Sequence, residues 1–315
     1  MDRKSARVVK GLGGLYEVLL DNGERLTLRA KGVFRHEEKR LQIGDIVEIE
    51  EGEGSDNLVI SEICERKNSL IRPPLANLDM LFVVAAAASP SPVLSTLDKL
   101  IAIAEHNKIE VVLIFSKNDL SPTEAYEKIY KDAGYTVFSL SNETKEGIGE
   151  LKAYIEERLT DGVCAAFAGA SGVGKSTLLN SLFPELSLET GDISKKIERG
   201  KHTTRHVEIF EVNKKEENGS ATSGFLADTP GFSLLDFVRF DFFELEELLP
   251  CFKEFLPYSL ECKYTDCTHV KEKECEIVRA VEQGELSKSR HECYCELYEI
   301  LKKKKSYNFK KTIDK

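Results

Sequence analysis

Apolar and polar positions alternate through the first sixty residues in short runs: Ala6–Lys10, Leu15–Leu20, Arg25–Ala30, Asp45–Glu50 and Leu58–Cys64. A period of two marks half-buried strands. Asp21-Asn22-Gly23 is a hairpin-turn signal and Gly11–Gly14 a bend, since glycine and asparagine accept the backbone angles of tight turns. Five strands in so short a stretch predict a small closed β-barrel, of which the OB-fold is the commonest nucleic-acid-binding type. From Asn77 the pattern changes to unbroken apolar runs alternating with amphipathic ones. It predicts strands over Met80–Ala88, Val111–Phe115, Thr136–Leu140 and Val163–Ala168, and helices over Ser95–His106, Thr123–Ala133 and Ile148–Leu159. Such alternation implies a mostly parallel sheet with helices on both faces and ligands at the carboxyl ends of the strands.

One such end carries Gly169-Ala170-Ser171-Gly172-Val173-Gly174-Lys175-Ser176-Thr177, a G-x-x-x-x-G-K-S phosphate loop running into a helix start over Thr177–Phe183. Glycines let main-chain N–H groups wrap a polyphosphate and the helix N-terminus adds a favourable dipole. Lys175 neutralises the β- and γ-phosphates, and the Ser176 hydroxyl ligates Mg²⁺. A second strand end carries Ser116-Lys117-Asn118-Asp119, similar to the N/T-K-x-D guanine motif with Ser at its first position. A carboxylate at Asp119 pairs with the two N–H groups of guanine, which adenine lacks, so it selects GTP over ATP. Ser141-Asn142, at a third strand end, resembles the short loop that backs the guanine O6 through main-chain N–H groups. Downstream, Gly200-Lys201-His202-Thr203-Thr204-Arg205 resembles a switch I loop whose threonine closes on Mg²⁺ and the γ-phosphate. Asp228-Thr229-Pro230-Gly231 is a D-x-x-G loop, with Asp228 directed to Mg²⁺ and the Gly231 N–H to the γ-phosphate. The guanine motif precedes the phosphate loop, so the order is circularly permuted and whatever follows D-x-x-G is mechanically attached to it.

Charge and cysteine usage refine this picture. At 315 residues the chain suits two or three domains, and its net charge of −10 is unevenly spread. Residues 1–40 carry ten Lys/Arg against six acids, and the tail from Leu301 carries seven Lys. Basic ends suit contact with RNA, while a solvated lysine tail is an equal reading for the tail alone. The longest apolar stretch is too short to span a bilayer and no signal-peptide pattern opens the chain, so a cytoplasmic protein with no membrane contact is expected. Eight cysteines in that setting do not form a disulfide framework. Instead Cys262-x4-Cys267-x-His269-x5-Cys275 offers three thiolates and one imidazole within fourteen residues, a donor set for a closed, structural Zn²⁺ site. Cys293 and Cys295 stay outside it, because Cys-x-Cys on a helix strains a single metal site, and Cys251 is unassigned.

With these residues laid out, nearly the whole chain resembles the RsgA (YjeQ/YloQ) family of circularly permuted GTPases. The match extends to Ser69-Leu70-Ile71-Arg72-Pro73-Pro74, leading into the GTPase, and to the Cys/His knuckle. The resemblance implies a barrel over 1–68, a permuted GTPase domain over 69–238 and a helical zinc-binding domain with a basic tail over 239–315. It also implies GTP hydrolysis stimulated by the 30S subunit in late 30S maturation, with barrel and zinc domain contacting rRNA. Nothing in the sequence suggests a dimer seam, so a monomer is expected. Phe232 follows D-x-x-G, where other GTPases place a glutamine that orients the attacking water. Phenylalanine cannot do so, and His202 is the nearest polar candidate for that catalytic role.

Overall fold

The computed structural model describes residues 4–35, 40–52, 58–184, 207–217, 220–228, 237 and 239–313. Two compact units emerge: Met1–Met80 with Gly149–Phe167 and Ser176–Phe232, and Leu81–Ile148 with Ala168–Lys175 and Ser233–Lys315.

The first unit opens with strands β1 (Lys4–Leu12), β2 (Leu15–Leu20), β3 (Arg25–Ala30), β4 (Ile46–Glu51) and β5 (Leu58–Ile63). They close a barrel in the order β1-β2-β3-β5-β4, with β4 returning antiparallel to β1. Alternation puts Val8, Val18, Leu28, Val47, Ile49 and Ile60 in one aliphatic core. A register shift between Val8 and Lys10 bends β1, and the neighbours Val8 and Val9 are both buried. The expected five strands are present with small boundary shifts. β4 begins after Asp45, whose buried carboxylate is otherwise engaged, accepting from Arg66 Nε at 2.6 Å and from the Gln42 N–H at 2.8 Å. Two strands escaped the sequence pattern: β6 (Ser69–Leu70) and β7 (Leu75–Ala76), a hairpin of two-residue arms around Ile71–Pro74.

The larger sheet contains β8 (Met80–Ala86), β9 (Glu110–Ser116), β10 (Thr136–Leu140), β11 (Cys164–Ala168), β12 (Glu208–Glu217) and β13 (Ser220–Asp228). Their order is β10-β9-β8-β11-β13-β12. Every residue of β8 and β11 is buried, as befits strands covered on both faces, and this is why they read as continuous apolar runs. The β9–β10 and β11–β13 pairs are parallel, whereas β12 runs antiparallel to β13. The sheet is therefore mixed, with an edge hairpin that the strand-and-helix alternation did not predict. Charged residues at Glu208, Glu211 and 214–217 mask the pattern: Ile209 and Val212 are buried, while Glu208 and Glu211 pair with Lys10 and Arg25 of the barrel strands at 2.9 and 3.7 Å.

Helices α1 (Leu94–His106), α2 (Glu124–Asp132), α3 (Ile148–Arg158) and α4 (Lys175–Leu182) follow β8, β9, β10 and the phosphate loop. The second unit ends in three more: α5 (Leu256–Ser259), α6 (Glu276–Gln283) and the long α7 (Lys288–Ile313). Among the described residues no helix is long and apolar enough to cross a membrane.

Candidate functional site

The phosphate loop occupies the turn from β11 into α4, which buries Leu178, Leu179 and Leu182 and so fixes the helix start that follows Gly174. Gly169 has φ +145°, and a Cβ there would sit 2.2 Å from the Val84 carbonyl oxygen, so only glycine permits this turn. Gly174 has φ +92°, and a Cβ on it would come within 3.2 Å of Asn142 Nδ2. Lys175 Nζ donates to the carbonyls of Gly169 at 2.6 Å and Ala170 at 2.9 Å, folding the ammonium back over the loop. Ala170, Ser171, Gly172, Ser176 and Thr177 leave their side open to solvent in whole or part, and Val173 is buried beneath them.

The guanine-like motif meets this loop inside the second unit. Ser116 is fully buried at the end of β9 and donates to the Val173 carbonyl at 2.6 Å. Ser at the first motif position thus supplies the bridge between the two motifs. Lys117, with φ +60°, extends its ammonium to the carbonyls of Gly172, at 3.0 Å, and Ser89. The Asn118 N–H donates to the Leu140 carbonyl, tying the motif to the end of β10, and Asp119 is exposed beside it. Directly after β10, Ser141 is buried and its hydroxyl accepts the N–H groups of Glu143 and Thr144, each at 3.1 Å, so that side chain shapes its own loop. Asn118 and Asn142 each bury an Oδ1 atom that has no partner among the described residues. Buried polar atoms left unpaired beside a glycine-lined loop are the mark of a ligand site. The glycine-lined loop with Lys175 over it fits a phosphorylated ligand.

Other expected residues are not so placed. His202, Thr203, Thr204 and Gly231 lie outside the described residues. Asp228 ends β13, and its side chain is likewise outside them.

Cys262, Cys267, His269 and Cys275 converge, their ligand atoms all lying within 4.8 Å of one another. Cys262 Sγ is 3.6 Å from His269 Nδ1 and 3.9 Å from Cys275 Sγ, and Cys275 Sγ is 3.5 Å from His269 Nδ1. A tetrahedral zinc with bonds of about 2.0–2.3 Å separates its ligands by about 3.5–3.8 Å, so the spacings among Cys262, His269 and Cys275 suit that ion, with Cys267 Sγ within 4.8 Å of them. Burial pushes the Cys275 thiol up to about 12, and a bound dication reverses that preference by ligating the thiolate. Cys293 and Cys295, on α7, stand outside the set.

Sequence reasoning missed what holds this knuckle. Glu272 accepts the N–H groups of Thr268, Val270 and Lys271, each at 3.1 Å, and also the Thr268 hydroxyl. From α7, His291 Nε2 lies 2.7 Å from the His269 carbonyl and the Tyr294 hydroxyl donates to the Thr268 carbonyl at 3.1 Å. One residue before His291, Arg290 is fully buried, with Nε and Nη2 donating to Glu254 at 2.6 and 3.0 Å and Nη1 to Asp98 of α1 at 3.1 Å. The Tyr130 hydroxyl donates to the same Asp98 oxygen at 3.1 Å. A polar residue on the apolar face of α1 was the available signal, but its partner lies 192 positions away. Burial pushes the Asp98 carboxyl up to about 6 against the pull of Arg290.

Comparison with known proteins places these features. The family model described as RsgA GTPase matches residues 63–238, and that described as RsgA N-terminal domain matches residues 6–59. A small ribosomal subunit biogenesis GTPase RsgA from Geobacillus sp. (strain WCH70) is 39% identical over 305 residues, covering 95% of this chain and 98% of the relative. The crystal structure of YloQ, a circularly permuted GTPase, superposes with a TM-score of 0.74 at 32% identity, covering 96% of each chain. YjeQ from Thermotoga maritima does so with a TM-score of 0.72 at 32% identity, covering 95% of this chain and 99% of that one.

Proposed function

The chain belongs to the RsgA family of circularly permuted GTPases, and on that premise we propose that it hydrolyses GTP to GDP and phosphate in biogenesis of the small ribosomal subunit. The observation that carries the reading is the bonding of Ser116 and Lys117 to phosphate-loop carbonyls, which supports one site for base recognition and phosphate binding despite the permuted order. In this reading the loop Gly169–Thr177 wraps the phosphates and Lys175 exchanges its two loop carbonyls for β- and γ-oxygens. Asp119 reads the guanine N1 and N2 hydrogens, with Ser141 and Asn142 presenting main-chain N–H groups to O6. Ser176 and Asp228 hold Mg²⁺, which supplies charge neutralisation on the β- and γ-phosphates. Gly231 senses the γ-phosphate, Thr203 or Thr204 closes over it, and His202 orients the attacking water in place of the missing glutamine.

The four donors at 262–275 hold one structural Zn²⁺. The partner is the 30S subunit, met as a cytoplasmic monomer whose barrel and zinc module touch rRNA. Lysines of the last helix are not all available for that contact: Lys304 donates to the carbonyls of Phe237 and Phe240, at 3.3 and 2.9 Å, and pairs with Asp241, while Lys305 pairs with Glu246.

The test is turnover of GTP and ATP by the purified chain, with and without isolated 30S and 50S subunits at matched Mg²⁺. The expected outcome is slow GTP hydrolysis accelerated about tenfold or more by 30S alone, a gain within the range of a partner-ordered active site. His202→Ala is expected to bind GTP normally and to be barely stimulated. Indifference to both subunits overturns the ribosomal part of the reading, and equal turnover of ATP overturns the guanine part.

A further inference from the structure

Two bonded helices, α7 and α1, lie between the Cys/His knuckle and the elements assigned to guanine. Near its start α7 grips the knuckle through His291 and Tyr294. Immediately before His291 sits Arg290, whose guanidinium binds Asp98, near the start of α1, and Glu254. Asp98 is five positions from Val93, the residue preceding α1, a rise of about 7.5 Å along the helix. The segment leading into α1 touches both halves of the nucleotide site. Its Ser89 carbonyl receives the Lys117 ammonium, and Pro90 Cδ lies 3.8 Å from where a Cβ on Gly172 would stand. A continuous series of contacts therefore runs from the knuckle through Arg290 and α1 to Lys117 and the phosphate loop, all within one compact unit.

The chemistry of the middle link is costly. Arg290 and Asp98 are wholly buried, Asp98 Oδ2 has no partner among the described residues, and the Arg290 guanidinium is roofed by Phe252 at 4.9 Å and Tyr135 at 5.5 Å. Well-packed apolar side chains would hold α7 against α1 as firmly, so burial of these charges is poorly explained by stability. What charges add is direction: a guanidinium bonded to three oxygens admits one pose of α7 on α1, where an apolar contact admits several.

We propose that Arg290 is a positioning residue for the guanine site, through which metal occupancy of the 262–275 knuckle and guanine-nucleotide affinity are coupled. The proposal rests on the nucleotide and zinc readings above and deepens them. Linkage requires the effect to be reciprocal: metal in the knuckle tightens GDP, and GDP tightens the metal by the same factor.

The experiment uses the full chain, zinc-loaded or stripped with a chelator. Fluorescent GDP affinity is measured in both states, and zinc affinity is measured by competition with a metallochromic dye, with and without GDP. The expected result is a GDP affinity about fivefold weaker in the stripped chain, the low end of measured couplings, with zinc affinity raised by the same factor when GDP is bound. Arg290→Met, apolar and similar in length, is expected to bind zinc and GDP with the ratio between the two states reduced to one. Asp98→Asn, which leaves Arg290 paired with Glu254, is the second variant if Arg290→Met fails to fold, with the same expectation. A merely structural arginine would lower affinity equally in both metal states and leave the ratio intact. A ratio of one in the unsubstituted chain, or a preserved ratio in the folded variant, overturns the coupling while leaving the GTPase reading untouched. Absence of any GDP binding by the zinc-loaded chain overturns both.

Discussion

The buried cluster in the barrel is aliphatic, built from Ala6, Val8, Val18, Leu20, Leu28, Val47, Ile49 and Ile60. The C-terminal module instead gathers three thiols and an imidazole at 262–275, and near them an arginine and a glutamate that meet Asp98 of α1 under an aromatic roof. Both arrangements exclude water, yet they differ in what they depend on. Aliphatic burial is non-directional and indifferent to pH or metal, so this cluster, unlike the buried Asp45–Arg66 pair beside it, holds in any ionic state. Thiolate and ion-pair cohesion holds only in one ionic state and one geometry, which makes the module's structure responsive to what it binds.

The largest effect expected to expose this difference is removal of the metal. Zinc contributes about 10–16 kcal/mol of folding free energy to isolated zinc-finger peptides, and the four donors at 262–275 are the set proposed to hold one such ion. Chelation or Cys275→Ser should abolish amide-exchange protection over residues 262–275 and leave barrel amides protected. Equal loss in both regions would break the comparison. The converse probe is Ile49→Ala, at a side chain only 1% exposed in the barrel core. Its expected cost is about 2–5 kcal/mol, read as a lower urea midpoint for the barrel and the same with or without zinc.

Both regions were disclosed by local signals in the sequence. Barrel strands announced themselves because alternation is a local signal, and the knuckle because four soft donors crowd into fourteen residues. The phosphate loop and Ser116–Asp119 were legible for the same reason: their geometry is made by main chain within a few positions. What stayed hidden was non-local. The β12–β13 edge hairpin disappears under charges that pair with barrel residues about two hundred positions away, such as Lys10 with Glu208. Glu272 reads as one more surface acid in Lys271-Glu272-Lys273-Glu274, and Asp98 as one polar interruption of an apolar helix face.

A pH titration sharpens the contrast at intermediate magnitude. Burial raises the Asp98 carboxyl from an ordinary 3.8 to about 6, against the opposing pull of Arg290. Between those values the folded chain takes up a proton that the unfolded chain does not, so this group adds stability as pH falls through 6 and stops adding below about 4. The swing is at most about 3 kcal/mol, since each pH unit between the two values contributes about 1.4 kcal/mol. It should appear as a pH-dependent gap between the stability of the unsubstituted chain and that of Asp98→Asn. A gap that stays flat from pH 7 to pH 4 would show that the Arg290 pairing, and not burial, governs this carboxyl.

The smallest of these effects concerns what the metal cannot do for itself. Burial acts to raise the Glu272 carboxyl, but the Thr268 hydroxyl and the surrounding main-chain N–H groups outweigh it and hold the group down at about 2. That balance means the loop between His269 and Cys275 is folded around a carboxylate, both of whose oxygens are engaged: Oε1 by Thr268, Oε2 by the N–H groups of Val270 and Lys271. In Glu272→Gln one of those oxygens becomes an NH₂ group that faces donors, so half of the contacts are lost while shape is kept. Because the site is partly exposed, the expected cost is only about 1 kcal/mol. It should surface as zinc release about fivefold faster, since about 1.4 kcal/mol corresponds to tenfold, with the barrel's urea midpoint unchanged. Release at the unsubstituted rate would mean that the four ligands alone set the loop, and that the module depends on the ion even more completely than its hydrogen bonds suggest.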